Sequence, residues 1–138
     1  MTNKRPARKV FRFDVWWCSI PAAHTLGAEF NDGKSGPHPF LVLSINELTR
    51  LGLCVGVPGT SHEPREDAPY HDWRIRIRPE DITPHGSFRP LDVDTYFCCE
   101  HVRSVAVDRL TEKAGRVIGK VAIQVEEAVR KALGLPEI

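Results

Sequence analysis

The chain has 138 residues, enough for one hydrophobic core and too few for two comfortable domains. Apolar residues make up 41% and charged residues 27%, which excludes wholesale disorder. The net charge of +1 excludes a bulk electrostatic field as the means of holding a polyanion, so such a partner must be met by local groups.

Lys4, Arg5, Arg8, Lys9 and Arg12 precede the first acid, Asp14, so residues 1–9 read as a flexible basic arm. Val10 to Ile20 alternates loosely, with Phe11, Phe13, Val15 and Trp17 on one parity and Trp16 interrupting the other. That pattern predicts a first strand whose outer side is partly covered. Arg12 and Asp14 break any signal-peptide core, and no apolar run approaches the roughly 20 residues a membrane span needs. A cytoplasmic protein with reduced cysteines and no membrane contact is expected. Cys18, Cys54, Cys98 and Cys99 form no CxxC pair. Cys98-Cys99-Glu100-His101 has the residue types of a metal cluster, but neighbours on a strand face opposite ways. The cysteines are therefore expected as small core residues, with no metal and no cofactor.

Residues 21–39 read as a long loop carrying His24, and a loop of that length in a compact domain is more often functional than idle. His38-Pro39 leads into a second strand, Phe40 to Leu43. Ser44 and Glu47 have the spacing of a helix-capping pair. A third strand, Leu51 to Val57, is predicted to end at Pro58-Gly59, delivering Thr60 and Ser61 at its exit.

After a polar loop, Trp73-Arg74-Ile75-Arg76-Ile77-Arg78 is the cleanest period-two pattern in the chain. It places Arg74, Arg76 and Arg78 on one face, about 6–7 Å apart, close to the spacing of phosphates on an extended nucleic acid. The other reading is a solvated face or an edge strand protected by charge. Thr95 to Cys99 and Val102 to Val107 read as further strands. Val121, Val125, Ala128, Val129, Ala132 and Leu133 recur at helical steps, closed by Gly134 and Pro136. Five or six short strands and one terminal helix predict a small, strongly bent antiparallel barrel.

Four blocks in this order resemble the MazF/PemK-type toxins of bacterial type II toxin–antitoxin pairs. They are Asp14 to Trp17, Gly36 to Ser44, Val57 to Ser61, and Val102 to Val117 with the last helix. The match spans nearly the whole chain as a single domain over residues 1–138, with 62–95 as its divergent insert. The resemblance implies a mainly β, SH3-like barrel of the MazF/CcdB type with a C-terminal helix and short helical turns. It also implies a homodimer, and a metal-independent endoribonuclease cutting single-stranded RNA, including mRNA, at short motifs. A cognate antitoxin would fill the RNA-binding groove.

RNA cleavage of this kind needs a base for the 2′-hydroxyl proton, an acid for the leaving 5′-oxygen, and donors or a cation for charge building on phosphorus. The resemblance places Thr60 at the family's threonine, as a donor to a phosphate oxygen. His38 stands where the family has an arginine, and an imidazole is not a permanent cation. Either His38 acts as acid or base while a nearby arginine, Arg74 or Arg76, supplies charge, or cleavage is lost and the chain only binds. Glu100 resembles the position of an acid in some related toxins and is a candidate base, with a surface pair to Arg103 as its structural alternative. Trp16, Ser61, Arg74, Arg76, Arg78 and His24 are the candidate RNA-binding residues, Trp16 either stacking a base or filling the core. The rival functions are a non-catalytic member of the fold acting by protein binding, as the gyrase-poisoning CcdB toxins do, and an SH3-like interaction module.

Overall fold

A computed structural model of the chain describes residues 9–19, 37–84 and 89–136. Its strands are β1 (Asp14–Ser19), β2 (Pro37–Val42), β3 (Leu53–Thr60), β4 (Arg74–Ile77), β5 (Ile82–Thr83), β6 (Thr95–Cys98), β7 (Arg103–Ala106) and β8 (Leu110–Val117). Two helices, α1 (Asn46–Arg50) and α2 (Gly119–Leu133), and three short 3-10 turns complete it. The strands run in the spatial order β4-β6-β3-β2-β1-β8-β5, and β7 pairs with the first half of β3. Every pairing is antiparallel. The result is the mainly β, curled half-barrel with a C-terminal helix that the patterning predicts.

β3 is the hinge of this arrangement. One flank carries β2 along its middle, and the other carries β7 at Leu53–Gly56 and β6 at Gly59–Thr60. It runs straight through Pro58 and Gly59, where the sequence predicts an end. Pro58 is fully buried, so its ring fills core space rather than forming a turn. At Gly56, a Cβ would lie 2.0 Å from the Leu41 carbonyl oxygen and 2.8 Å from the Phe40 ring. Only glycine allows β2 and β3 to approach this closely at the bend.

The sheet buries both faces, in two separate clusters. Alternate residues Val15, Leu41, Val57, Phe97 and Ile77 pack with Val121, Ala122, Val125 and Ala128 of α2. Trp16, Cys18, Phe40, Val42 and Cys54, on the opposite face, pack with Val105 of β7 and Leu110 of β8. The predicted helical stripe thus covers one face only, and Gly134 closes α2 in the left-handed conformation (φ +67°).

β8 has no counterpart among the predicted strands. Its register against β1 shifts twice, and Gly115, at φ +147°, faces Val15 at the first shift. Such bulges break the two-residue period by which a strand is read from sequence. Asp14 ties this edge together: it is fully buried, with Arg116 Nε donating to Oδ1 at 3.0 Å and Lys113 Nζ 3.4 Å from Oδ2. The expected Ser44 cap is also absent. Ser44 Oγ instead accepts the Val55 N–H at 3.0 Å, binding the β2–α1 turn to β3, while Ile45 occupies the N-cap position of α1. Among the described residues, no helix is long and apolar enough to cross a membrane.

Candidate functional site

His38 and Thr60 lie on neighbouring strands of one sheet face. The β2–β3 pairing ends at Phe40–Pro58, and His38 and Thr60 each stand two residues beyond that pair with the same parity. Cys18 of β1 lies across from His38, Tyr96 of β6 lies across from Thr60, and Arg76 of β4 lies across from Tyr96. Residues directly opposite in an antiparallel sheet project from the same face. Cys18 paired with His38, and Thr60 with Tyr96 and Arg76, therefore share one face in a row just beyond the last β2–β3 pair. The row lies on the face away from α2. His38 is 6% exposed and Thr60 3% exposed. Thr60 Oγ1 accepts the His62 N–H at 3.2 Å, closing the turn in which Ser61 is exposed.

The neighbouring row on the same face carries Arg74, opposite Cys98. Arg74 Nε donates to Glu100 Oε1 at 2.5 Å, and its guanidinium stacks on the Tyr70 ring at 4.1 Å from the centroid. The carboxylate thus pairs with Arg74 and not with Arg103. Its second oxygen, Oε2, is the buried side-chain oxygen with no hydrogen-bond partner among the described residues. His101 Nε2 lies 3.7 Å from Oε1. Burial pushes the His101 imidazole below its ordinary pKa, against the pull of Glu100 and with the help of Arg74 and Arg103.

The three arginines of β4 and its exit are not a bare cationic track. Arg76 is bound by Asp94 at 2.7 Å, and Arg78 by Asp81 at 3.2 Å. These acids raise both guanidinium pKa values, and Arg78 in turn holds the Asp81 carboxyl below the usual range. Arg74 does not point freely outward either, since its side chain is only 12% exposed. Trp16 offers no free ring face for stacking. It is buried in the second cluster with Nε1 3.5 Å from Asp14 Oδ2, so the core reading holds. His24 lies outside the described residues.

The cysteines are buried, and burial pushes Cys18 up to about 11 and Cys54 and Cys99 up to about 12. Among the described residues, no group of three or more His, Cys, Asp or Glu side chains is placed to hold a metal ion. Tyr96 and Cys18 join the row without any signal in the linear sequence, because cross-strand register alone brings them there. Two of the acids that neutralise the arginines are likewise invisible locally, Asp94 lying 18 residues from Arg76 and Glu100 lying 26 residues from Arg74.

The family model described as PemK-like, MazF-like toxin of type II toxin-antitoxin system matches residues 11–133. No curated protein matches the sequence. Among solved structures, the fold is similar to an endoribonuclease in complex with its cognate antitoxin from a mycobacterial species. That pair shares 22% identity at a TM-score of 0.59, covering 94% of this chain and 100% of the other. The Mycobacterium tuberculosis toxin MazF-mt6 aligns at a TM-score of 0.63 with 14% identity, over 90% of this chain and 99% of that one. MazF from Deinococcus radiodurans aligns at 0.60 with 21% identity, over 91% and 97%. At these identities the likeness is one of fold.

Proposed function

Because this chain belongs to the PemK-like, MazF-like toxins of type II toxin–antitoxin systems, we propose that it is a cytoplasmic endoribonuclease that cuts single-stranded RNA by 2′-hydroxyl attack. What supports this reading above all is the row of His38 and Thr60, two polar side chains suited to phosphate chemistry on adjacent strands of one sheet face. A base takes the 2′-hydroxyl proton, O2′ bonds to phosphorus, and the P–O5′ bond breaks as O5′ receives a proton. The products are a 2′,3′-cyclic phosphate and a 5′-hydroxyl. No redox partner or metal-bound water enters this balance.

In this scheme His38 protonates the leaving oxygen, Thr60 donates a hydrogen bond to a non-bridging oxygen, and Glu100 accepts the 2′-hydroxyl proton at Oε2. Arg74 holds Oε1 and so orients that carboxylate. Ser61, exposed at the turn after β3, binds the RNA backbone. The active form is a homodimer, and the cognate antitoxin restrains it by occupying the RNA groove. Both of these last points are proposed from the family and from the complexes formed by similar toxins.

The test is electrophoresis of a long defined RNA incubated with the protein in EDTA. Discrete fragments from wild type, with a loss of at least 100-fold for His38→Ala, are the expected result. Intact RNA at high protein concentration removes the ribonuclease reading in favour of a toxin that acts by binding protein. Equal cleavage by wild type and His38→Ala removes His38 from the mechanism.

A further inference from the structure

Phosphate transfer builds negative charge on the non-bridging oxygens, which a hydroxyl and an imidazole that gives its proton to O5′ do not balance. The chemistry of the row therefore asks for a permanent cation. Arg74, Arg76 and Arg78 are each neutralised by Glu100, Asp94 and Asp81.

Arg103 is not. It opens β7 opposite Gly56, and Gly56 in turn lies opposite Val42 on β2. Val42 shares its face with Phe40 and His38, two and four residues along the strand, so Arg103 projects from the face that carries the row. Its strand neighbour on that face, Val105, packs in the apolar cluster with Cys18 and Phe40. Along the strands Arg103 stands four residues, about 13 Å, from the level of His38 and Thr60, with the Phe40–Pro58 pair between, a gap its long side chain and a bound phosphate span together. It is half-buried and forms no ion pair with any described residue. Its positive field reaches Cys18, the cross-strand partner of His38, and His101 beside Glu100, acting on both in the direction that opposes added positive charge. Arg109 also acts on Cys18, but it ends an exposed 3-10 turn rather than standing in the sheet.

We propose that Arg103 is the permanent cation that meets the phosphate carried over His38 and Thr60, contacting a non-bridging oxygen as charge develops there. The assignment rests on the ribonuclease reading for its chemistry, while the phosphate contact itself is measurable by binding alone. It makes Arg103, rather than an arginine of β4, the partner that allows a histidine to stand at position 38.

The experiment compares wild type, Arg103→Met, Arg103→Lys and the charge-matched control Lys131→Met, which alters an exposed residue of α2. Cleavage of a single-stranded RNA in EDTA is measured beside binding of its 2′-O-methyl analogue between 50 and 200 mM salt. Arg103→Met is expected to lose about 100-fold in kcat. Its binding slope, log K against log salt, is expected to fall by about 0.7, the value for one phosphate contact on a single strand. Arg103→Lys keeps the slope and recovers part of the rate, and Lys131→Met matches wild type in both.

A wild-type slope and rate in Arg103→Met overturn the proposal. If wild type binds the analogue yet leaves RNA intact, the ribonuclease reading fails, and the slope difference alone decides the Arg103 contact. If wild type binds neither oligonucleotide, both fall. Circular dichroism of each variant separates loss of fold from loss of contact.

Discussion

Arg74 and Glu100, 26 residues apart in sequence, are held Nε to Oε1 at 2.5 Å with side chains only 12% and 19% exposed. The pair gives Glu100 two distinct oxygens, one committed to the guanidinium and one buried with no hydrogen-bond partner among the described residues. Removing either charge strands the other where water reaches poorly. Glu100→Gln and Arg74→Met are each expected to cost about 2 kcal/mol, below the range for a fully buried pair because some solvent remains. The double variant should lose less than the sum of the two. Measured on folded protein, Glu100→Gln should also lower kcat by at least 100-fold if the carboxylate is the base. Denaturant unfolding gives the coupling, and cleavage per folded molecule gives the role. Additive stabilities refute the pairing, and a rate within twofold of wild type removes Glu100 as base.

Part of the candidate site is legible in the sequence. Residue type and position at the ends of two apolar segments single out His38 and Thr60, and strand parity puts both on one sheet face. Local pattern also gave the inward parity of Ile75 and Ile77 and the buried stripe of α2 at Val121, Val125 and Ala128. What stayed hidden depends on pairing between distant segments. The alternation of β4 shows three arginines on one face, but not that Asp94 and Glu100 arrive to neutralise Arg76 and Arg74; Asp81, three residues after Arg78, is the one local partner. β8 is unreadable because its register against β1 skips Ala114 and Thr111, which shifts parity twice within the strand. Pro58-Gly59 carries a strong turn signal locally, yet burial against the core keeps both residues in β3.

Gly56 should be among the least replaceable residues outside the chemistry. A Cβ there would stand 2.0 Å from the Leu41 carbonyl oxygen, backbone that has no rotamer with which to yield. Gly56→Ala is expected to destabilise by about 3 kcal/mol, the upper end for overpacking a core, through separation of β2 from β3 at the bend. Because Arg103 lies across from Gly56, cleavage should fall together with stability. Urea unfolding checks the first, and a midpoint unchanged from wild type refutes the close approach.

The cysteines should be silent in the native protein. All four are buried, and burial pushes Cys18 up to about 11 and Cys54 and Cys99 up to about 12. At pH 8 these three thiols are almost wholly protonated, and the thiolate is the reactive form. Native protein should therefore react with a disulfide reagent far more slowly than protein in guanidinium, where all four thiols of the sequence become available. The count and rate of thiol release at 412 nm test this directly. A fast phase of one thiol in the native state would show that the sheet opens at that cysteine.

His101 should make stability fall as the solution is acidified. Burial is the leading cause holding its folded pKa below the ordinary 6.5, with Arg74 and Arg103 acting the same way and Glu100 opposing them. Just below pH 6.5 the unfolded chain therefore binds the proton that the folded chain refuses. The unfolded state then carries more protons, so unfolding free energy rises with pH across this window and is lost as pH drops through it. Above 6.5 both states are neutral at this residue and the contribution vanishes. His101→Gln removes this one titration and leaves the other histidines and the carboxylates in both proteins, so they cancel in the difference. Relative to wild type, the variant should gain thermal stability on going from pH 8 to pH 5.5. Melting curves at closely spaced pH values supply the comparison. A difference that stays constant, or that widens in favour of wild type at low pH, contradicts the buried neutral imidazole and with it the compact arrangement of His101, Glu100 and Arg74.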